Sequence, residues 1–448
     1  MADKQTSNQV TLYKAREDTI GVLDANANFE TREPNSFDDF GGEPTQVARR
    51  PFSPSRQRKK GSNVDLDVMA GWNEDFTATN MYSILDGFCF AAIRAKPKLA
   101  YSAATAATDR FTVASGGAAF VVNSLVLVSD DAVAANNGLK VVTESAAGYV
   151  GIGAGLLDSA SGGTIQVVGY QFTAGGLFFE PGRGVCRPVA AAMAMKTFVV
   201  ITGEWVIVGG DEVVQSFSTI LRGYARIGVD GVTADELVFD KTAFVAADDA
   251  GAAKTIRLFF GPLVKNEDDP DLIVKLTDTL ERPLGRDNDG KQSEVVNGAT
   301  PNELTFNSPL AALVNVDVGY MGLQVENRKG SAGLLSESGA HTITKGLGED
   351  GWNTSRNLYR CRVAVIDPAT LNPTPLFGKV TEFSLTLNNN VSPDKAQGVY
   401  GAFDTTEGMF EVDAEMTAYF RDMNAKTAIN EDTDVTFDVI YSKQNVAF

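Results

Sequence analysis

Apolar and polar residues alternate with a period of two along much of the chain, beginning at Val64-Asp65-Leu66-Asp67-Val68. That period marks a strand with one dry and one wet face. Phe383-Ser384-Leu385-Thr386-Leu387-Asn388, Phe410-Glu411-Val412-Asp413-Ala414-Glu415-Met416 and Asp434-Val435-Thr436-Phe437-Asp438-Val439 repeat it and predict several amphipathic antiparallel strands near the C-terminal end. Glu294 to Phe306 predicts a strand, a turn at Asn297-Gly298 and a second strand. Met81, Ile84, Leu85 and Phe88 recur at helical spacing behind Thr79, a residue suited to an N-cap, so one short helix packed on a sheet is expected there. The glycine-rich residues 327–357 and the prolines Pro368, Pro373 and Pro375 predict loops.

Between the first strand and the later ones the pattern runs through the same order twice. Leu125-Val126-Leu127-Val128, then Asn137-Gly138-Leu139-Lys140-Val141-Val142, then Thr164-Ile165-Gln166-Val167-Val168-Gly169 form one series. Trp205-Val206-Ile207-Val208, Arg222-Gly223-Tyr224-Ala225-Arg226-Ile227 and Thr255-Ile256-Arg257-Leu258 form the second. A solenoid needs about three or more copies to bury its faces, so residues 97–170 and 171–261 are expected to be two small β-barrel-like modules. They would interrupt a core made of residues 64–96 and 262–448. Residues 1–63 are polar and end in the basic run Arg49, Arg50, Arg56, Arg58, Lys59 and Lys60, which predicts an extended arm lying on an acidic neighbour.

Composition narrows the function. The 448 residues have room for two to four compact units, and 44% hydrophobic with 21% charged residues excludes a wholly disordered chain or a coiled coil. Lysine and arginine number 39 against 57 aspartates and glutamates, a net charge of −18, which disfavours tight nucleic-acid binding by one broad surface. The three cysteines, Cys89, Cys186 and Cys361, fit neither a disulfide framework nor a zinc pattern. With no apolar core in the first residues and no stretch of about 18 apolar residues, folding in a cytoplasm is expected.

Catalytic chemistry is sparse. The single histidine, His341, sits in a polar loop, where an exposed residue is expected and a Ser-His-Asp triad is not. Gly285 to Gln292 nearly matches a phosphate-binding loop, but Gln292 replaces the metal-binding hydroxyl, and a polar hairpin turn suffices. Glu267, Asp268, Asp269 and Asp271 could hold a hard cation, although acids flanking Pro270 read more simply as a solvated loop. Cys361 lies between Arg360 and Arg362, yet strand alternation turns its thiol inward. No catalytic site, cofactor or metal is expected.

The acids have a pattern of their own. Asp65 and Asp67, and Glu411, Asp413 and Glu415, each occupy one whole face of a strand whose other face is apolar. A sheet of about four such strands leaves two open edges, and a ring of copies closes them. Six copies of four strands at ~4.8 Å spacing and a tilt near 40° make a cylinder roughly 48 Å across, with a bore of roughly 35 Å after side chains. Duplex DNA about 20 Å wide would pass through it, repelled by the wall over a Debye length of about 10 Å.

These residues resemble the tail tube, or major tail, proteins of long non-contractile-tailed bacteriophages (siphophages). The likeness extends over most of the chain. Its most specific pieces are Ala48-Arg49-Arg50-Pro51-Phe52-Ser53-Pro54-Ser55-Arg56-Gln57-Arg58-Lys59-Lys60-Gly61, Asn136-Asn137-Gly138-Leu139, Thr279-Leu280-Glu281-Arg282-Pro283-Leu284-Gly285, Leu387-Asn388-Asn389-Asn390-Val391 and Gly401-Ala402-Phe403-Asp404. The resemblance implies a mainly β fold: a tail-tube β-sandwich or barrel core with a short α-helix, an extended N-terminal arm and the two inserted modules as decoration. It implies a virion protein, assembled in the host bacterial cytoplasm into hexameric rings that stack into a tube. Its partners would be further copies of itself, the tape measure protein, the tail terminator and tail-tip or distal tail proteins, with double-stranded DNA passing transiently. The basic run and the acidic loop at Glu267, Asp268, Asp269 and Asp271 would bridge successive rings. The alternative is a surface or capsid-decorating protein that binds carbohydrate, which would need exposed tryptophan and tyrosine clusters.

Overall fold

The computed structural model describes residues 10–49, 52, 57, 59–77, 80–172, 177–179, 185–188, 205–209, 223–230, 234–239, 256–267, 269–346, 348–366, 373–443 and 446–447. The fold is mainly β. The chain opens with strands β1 (Leu12–Thr19), β2 (Val22–Leu23), β3 (Asn28–Arg32), β4 (Pro34–Val47) and β5 (Ser62–Asp75), then helix α1 (Tyr82–Phe88). Ile84 and Phe88 of α1 and the preceding Met81 are buried, as the helical spacing predicts. The N-cap position is Met81, and Thr79 lies outside the described residues.

The first inserted module contains β6 (Lys98–Thr105), β7 (Arg110–Val113), β8 (Ser124–Ser129), β9 (Gly138–Ala146), β10 (Tyr149–Ile152) and β11 (Gly163–Phe172). Following the pairings from β6 through β7, β10, β9, β8 and β11 returns to β6, so these six strands close into a barrel. Phe111, Val126, Val128, Val142, Val150 and Ile165 are almost fully buried in it. The second module provides β12 (Leu177–Phe179), β13 (Val185–Pro188), β14 (Trp205–Gly209), β15 (Gly223–Asp230), β16 (Ala234–Phe239) and β17 (Ile256–Phe259). Among the described residues these form an open run, because β17 pairs with β11 of the first module instead of returning to β12.

The rest of the chain builds β18 (Asp278–Asp287), β19 (Gly290–Ser308), β20 (Asn315–Gly322), β21 (Gln324–Gly330), β22 (Thr342–Thr344), β23 (Leu358–Ile366), β24 (Pro373–Pro375) and β25 (Phe377–Asn388). A small hairpin, β26 (Ser392–Asp394) and β27 (Asp404–Thr406), precedes β28 (Glu411–Phe420), helix α2 (Asn424–Asn430) and β29 (Thr436–Lys443). Two sheets share β19. Its first half pairs with β18 and β21, its second with β20 and β25. One sheet thus runs β22-β3-β1-β18-β19-β21 and the other β4-β5-β20-β19-β25-β28. Leu280 and Val296 of the first meet Val68, Trp72, Leu304, Val318, Tyr320 and Leu387 of the second in one apolar core. Trp72 stacks on Tyr320 with ring centroids 5.4 Å apart.

Asn297-Gly298 is not the expected hairpin turn. β19 continues straight through it, and Gly298 at φ +62° is the corner where one strand leaves the first sheet for the second. A Cβ there would lie 2.6 Å from Leu323, and the backbone N–H donates to the buried Glu17 at 2.8 Å. Gly298→Ala is therefore expected to cost about 1–3 kcal/mol through strain and overpacking. Urea denaturation would read this as a lower midpoint, and an unchanged midpoint would show that the corner tolerates a side chain. Gly285 to Gln292 does turn as expected, with Asp287 paired to Gly290.

Residues 12–47, expected within an extended arm, are strands of the core. β1 lies between β3 and β18, and Leu12 and Ala15 are buried. Lys14 and Glu17 are buried too and Arg16 partly so, because partners await them: Lys14 sits 3.1 Å from Asp278, and Arg16 is 2.8 Å from Asp86 of α1. Glu17 accepts from the hydroxyls of Thr277 and Thr279. Arg32 of β3 pairs with Glu74 of β5, both almost fully enclosed. The basic run is not at a chain end either. It belongs to the tip that joins β4 to β5.

A candidate bore-lining face

Cross-strand register determines which side chains share the wet face of the β4-β5-β20-β19-β25-β28 sheet. One row runs Asp413, Thr386, Thr305, Asp317, Asn73, Ser36. The next runs Glu411, Asn388, Glu303, Gly319, Gly71, Asp38, and a third Glu415, Ser384, Asn307, Asn315, Asp75. These rows hold seven carboxylates and no lysine or arginine. The two acidic strands picked out by alternation thus lie on one face of one sheet, with Asp65 and Asp67 farther along β5 opposite Thr45 and Glu43.

Amides and hydroxyls brace this face. Asn73 Nδ2 donates to Asp317 Oδ1 at 2.7 Å and Asn307 Nδ2 to Asp317 Oδ2 at 2.6 Å, while the hydroxyls of Thr305 and Thr386 are 2.9 Å apart. Asp317 and Glu303 were missed in the sequence, although Val316-Asp317-Val318 carries the same alternation. Glu411, Asp413 and Glu415 are exposed. Asp65 and Asp67 are not bare acids, since Lys395 of the β26–β27 hairpin hydrogen-bonds to both. That bond, with the Leu66 N–H, holds the Asp65 carboxyl below its ordinary range, and the same pairing raises Lys395. A depressed carboxylate stabilises above its unfolded range and loses that contribution as pH falls through its folded value, while a raised lysine loses its own as pH climbs past its folded value, so this clamp loosens in acid and in strong base but not between.

Among the described residues both margins of the sheet are unpaired. Among the described residues β28 pairs only with β25, and its apolar side is covered at Met416 but open at its ends, with Val412 52% and Phe420 64% exposed. β4, the other margin, pairs only with β5 and carries register shifts after Pro34, Asp38 and Thr45. Unpaired edges beside uncovered apolar residues mark a sheet completed by a neighbour.

The other candidates separate. Arg49, Lys59 and Lys60 are exposed at the β4–β5 tip, while Arg50, Arg56 and Arg58 lie outside the described residues. Glu267 is paired with Arg94 and lies 3.8 Å from Lys265, and Asp269 accepts the Asp271 N–H at 3.1 Å; Asp268 lies outside the described residues. His341 is half-buried, against the expectation of exposure: its Nδ1 is 3.0 Å from the Leu335 carbonyl and its ring meets Phe29 edge-on. The Cys361 thiol packs on the core and burial pushes it up to about 12, while Arg360 and Arg362 both bind Asp438. Trp72 and Trp352 are 1% exposed, so neither can stack on a surface sugar. Glu281, within Thr279 to Gly285, is fully buried and accepts from the Leu335 and Ser336 N–H groups. That segment is a structural brace.

A β-sandwich whose acid-faced sheet has unpaired margins among the described residues has the form of a structural subunit completed by neighbours. The chain matches the phage tail tube protein family over residues 7–448 and belongs to it. Among curated proteins none matches the chain.

Proposed function

We propose that six copies close edge to edge, β28 of one beside β4 of the next, into rings that stack as the tail tube, with the acid rows lining the bore. The observation that carries this is the pair of open margins flanking one face that holds seven carboxylates and no cation in its central rows. The protein contributes no chemistry: the wall keeps phosphate off itself, so duplex DNA slides without sticking. Before DNA enters, the tube forms around the tape measure protein, between tail-tip proteins and a terminator, in the cytoplasm of the host, and the basic run at the β4–β5 tip bridges successive rings.

Cryo-electron microscopy of tubes grown from the purified chain tests this through the bore. The sheet has six strands where about four were expected, and the bore reports how many face inward. Four per copy give roughly 35 Å and six give roughly 60 Å at the same spacing and tilt. A bore narrower than duplex DNA, or one lined by the Trp72 face of the sheet, would overturn the conduit.

A further inference from the structure

On β1 and β18, Lys14 stands opposite Leu280 and Arg16 opposite Asp278, which makes Lys14 and Asp278 diagonal neighbours on one face of two paired strands. That face is dry, because Leu12 and Leu280 on it belong to the apolar core. Lys14 is 3% exposed and Asp278 not at all. Lys14 Nζ lies 3.1 Å from Asp278 Oδ1 but donates to the Ser83 carbonyl at 2.9 Å, and among the described residues neither oxygen of Asp278 accepts a hydrogen bond.

A carboxylate enclosed in this way is expensive to keep charged. Burial also lowers Lys14, which favours its neutral amine. Four charges meet here, since Arg16 Nε is 3.4 Å from the same Oδ1 and Arg16 Nη2 is 2.8 Å from Asp86. Removing Lys14 and Asp278 as ions leaves Arg16 matched with Asp86 and strands no charge.

We infer that Lys14 and Asp278 condense into an intramolecular isopeptide bond that staples β1 to β18. A proton passes from the Lys14 ammonium to Asp278, which leaves an amine facing a carboxylic acid. Nζ attacks Cγ, the oxygen beside Arg16 carries the developing negative charge, and the departing hydroxyl takes a second proton from the nitrogen. The Nζ–Cγ bond forms, a Cγ–O bond breaks and one water leaves; nothing is oxidised or reduced, and no co-reactant is needed. Partners for that water exist in the core, because Arg16 Nη1 and the Tyr320 hydroxyl are buried without hydrogen bonds among the described residues. The reaction runs once, as the subunit folds, and takes no part in the passage of DNA. The staple lies within one chain and does not depend on how copies meet. It closes a covalent loop that contains both inserted modules, so β1 resists being stripped from the core when the chain is pulled.

Intact-mass measurement of the full, denatured chain tests this without any variant. The purified chain is expected to weigh one water less than its sequence, and its tryptic digest to contain a branched ion joining the Lys14 and Asp278 peptides. Lys14→Arg keeps a cation beside Asp278 and is expected to keep the full mass. Asp278→Asn is expected to lose ammonia in place of water, because nitrogen then departs from Cγ. A parent chain of full mass would overturn the staple, and so would a lost water that persists in Lys14→Arg or maps to other residues. The branched ion in the parent, with full mass in Lys14→Arg, establishes it.

Discussion

Glu411→Lys, Asp413→Lys and Glu415→Lys together are expected to slow DNA ejection from intact virions by tenfold or more at low salt, a magnitude set by phosphate neutralisation. The three acids follow one another on the wet side of β28, in register with Asn388, Thr386 and Ser384. With four strands per copy facing inward, a bore of roughly 35 Å around a duplex of about 20 Å would leave a gap near 7 Å on each side, less than the Debye length of about 10 Å at 0.1 M salt; the bore of roughly 60 Å from six strands would leave about 20 Å and a weaker effect. In the narrower bore of the proposed tube, DNA in transit would always be within reach of the wall charge. Reversing three acids moves each copy by six charge units, and every ring of the proposed tube would become a phosphate-binding collar. The delay should shrink as salt rises, because screened collars hold less. Ejection timed by dye uptake checks this, and an unchanged rate at low salt would remove β28 from the bore.

Arg32→Met is expected to cost about 3–5 kcal/mol, the usual penalty for stranding one partner of a buried ion pair. Arg32 and Glu74 are 4% and 2% exposed, and the guanidinium also donates to the Asn80 carbonyl at 2.9 Å. Its loss leaves a carboxylate enclosed without a counter-ion and frees the turn that leads into α1. Adding Glu74→Leu should return much of the stability, since an apolar pair of similar volume is tolerated where half an ion pair is not. Urea unfolding followed through the fluorescence of the buried Trp72 and Trp352 would measure both. A single variant as stable as the parent would show that water reaches the pair.

The acid face was legible because alternation and cross-strand register are the same fact seen from one strand and then from six. The six-stranded barrel was legible as a module from its ordered apolar runs, whereas the partner of β17 was not, since edge choice depends on tertiary neighbours. β1 was hidden by its own chemistry. Lys14, Arg16 and Glu17 look solvated until Asp278, Asp86, Thr277 and Thr279 arrive from distant parts of the chain. β4 was hidden by Pro34, Gly41, Gly42 and Pro44, residues that a margin strand with register shifts accepts and a central one refuses. Asn297-Gly298 carries a strong hairpin signal, but the left-handed conformation Gly298 adopts serves equally to bend one strand between two sheets.

The point where the inserted modules leave the core has its own consequence. Arg94 and Leu263 exchange both backbone hydrogen bonds, at 2.8 and 3.2 Å, so some 170 residues depart and return through one knot of backbone. Among the described residues this bridge closes the excursion at its base, so a change of length beyond it leaves the register of the core sheets untouched.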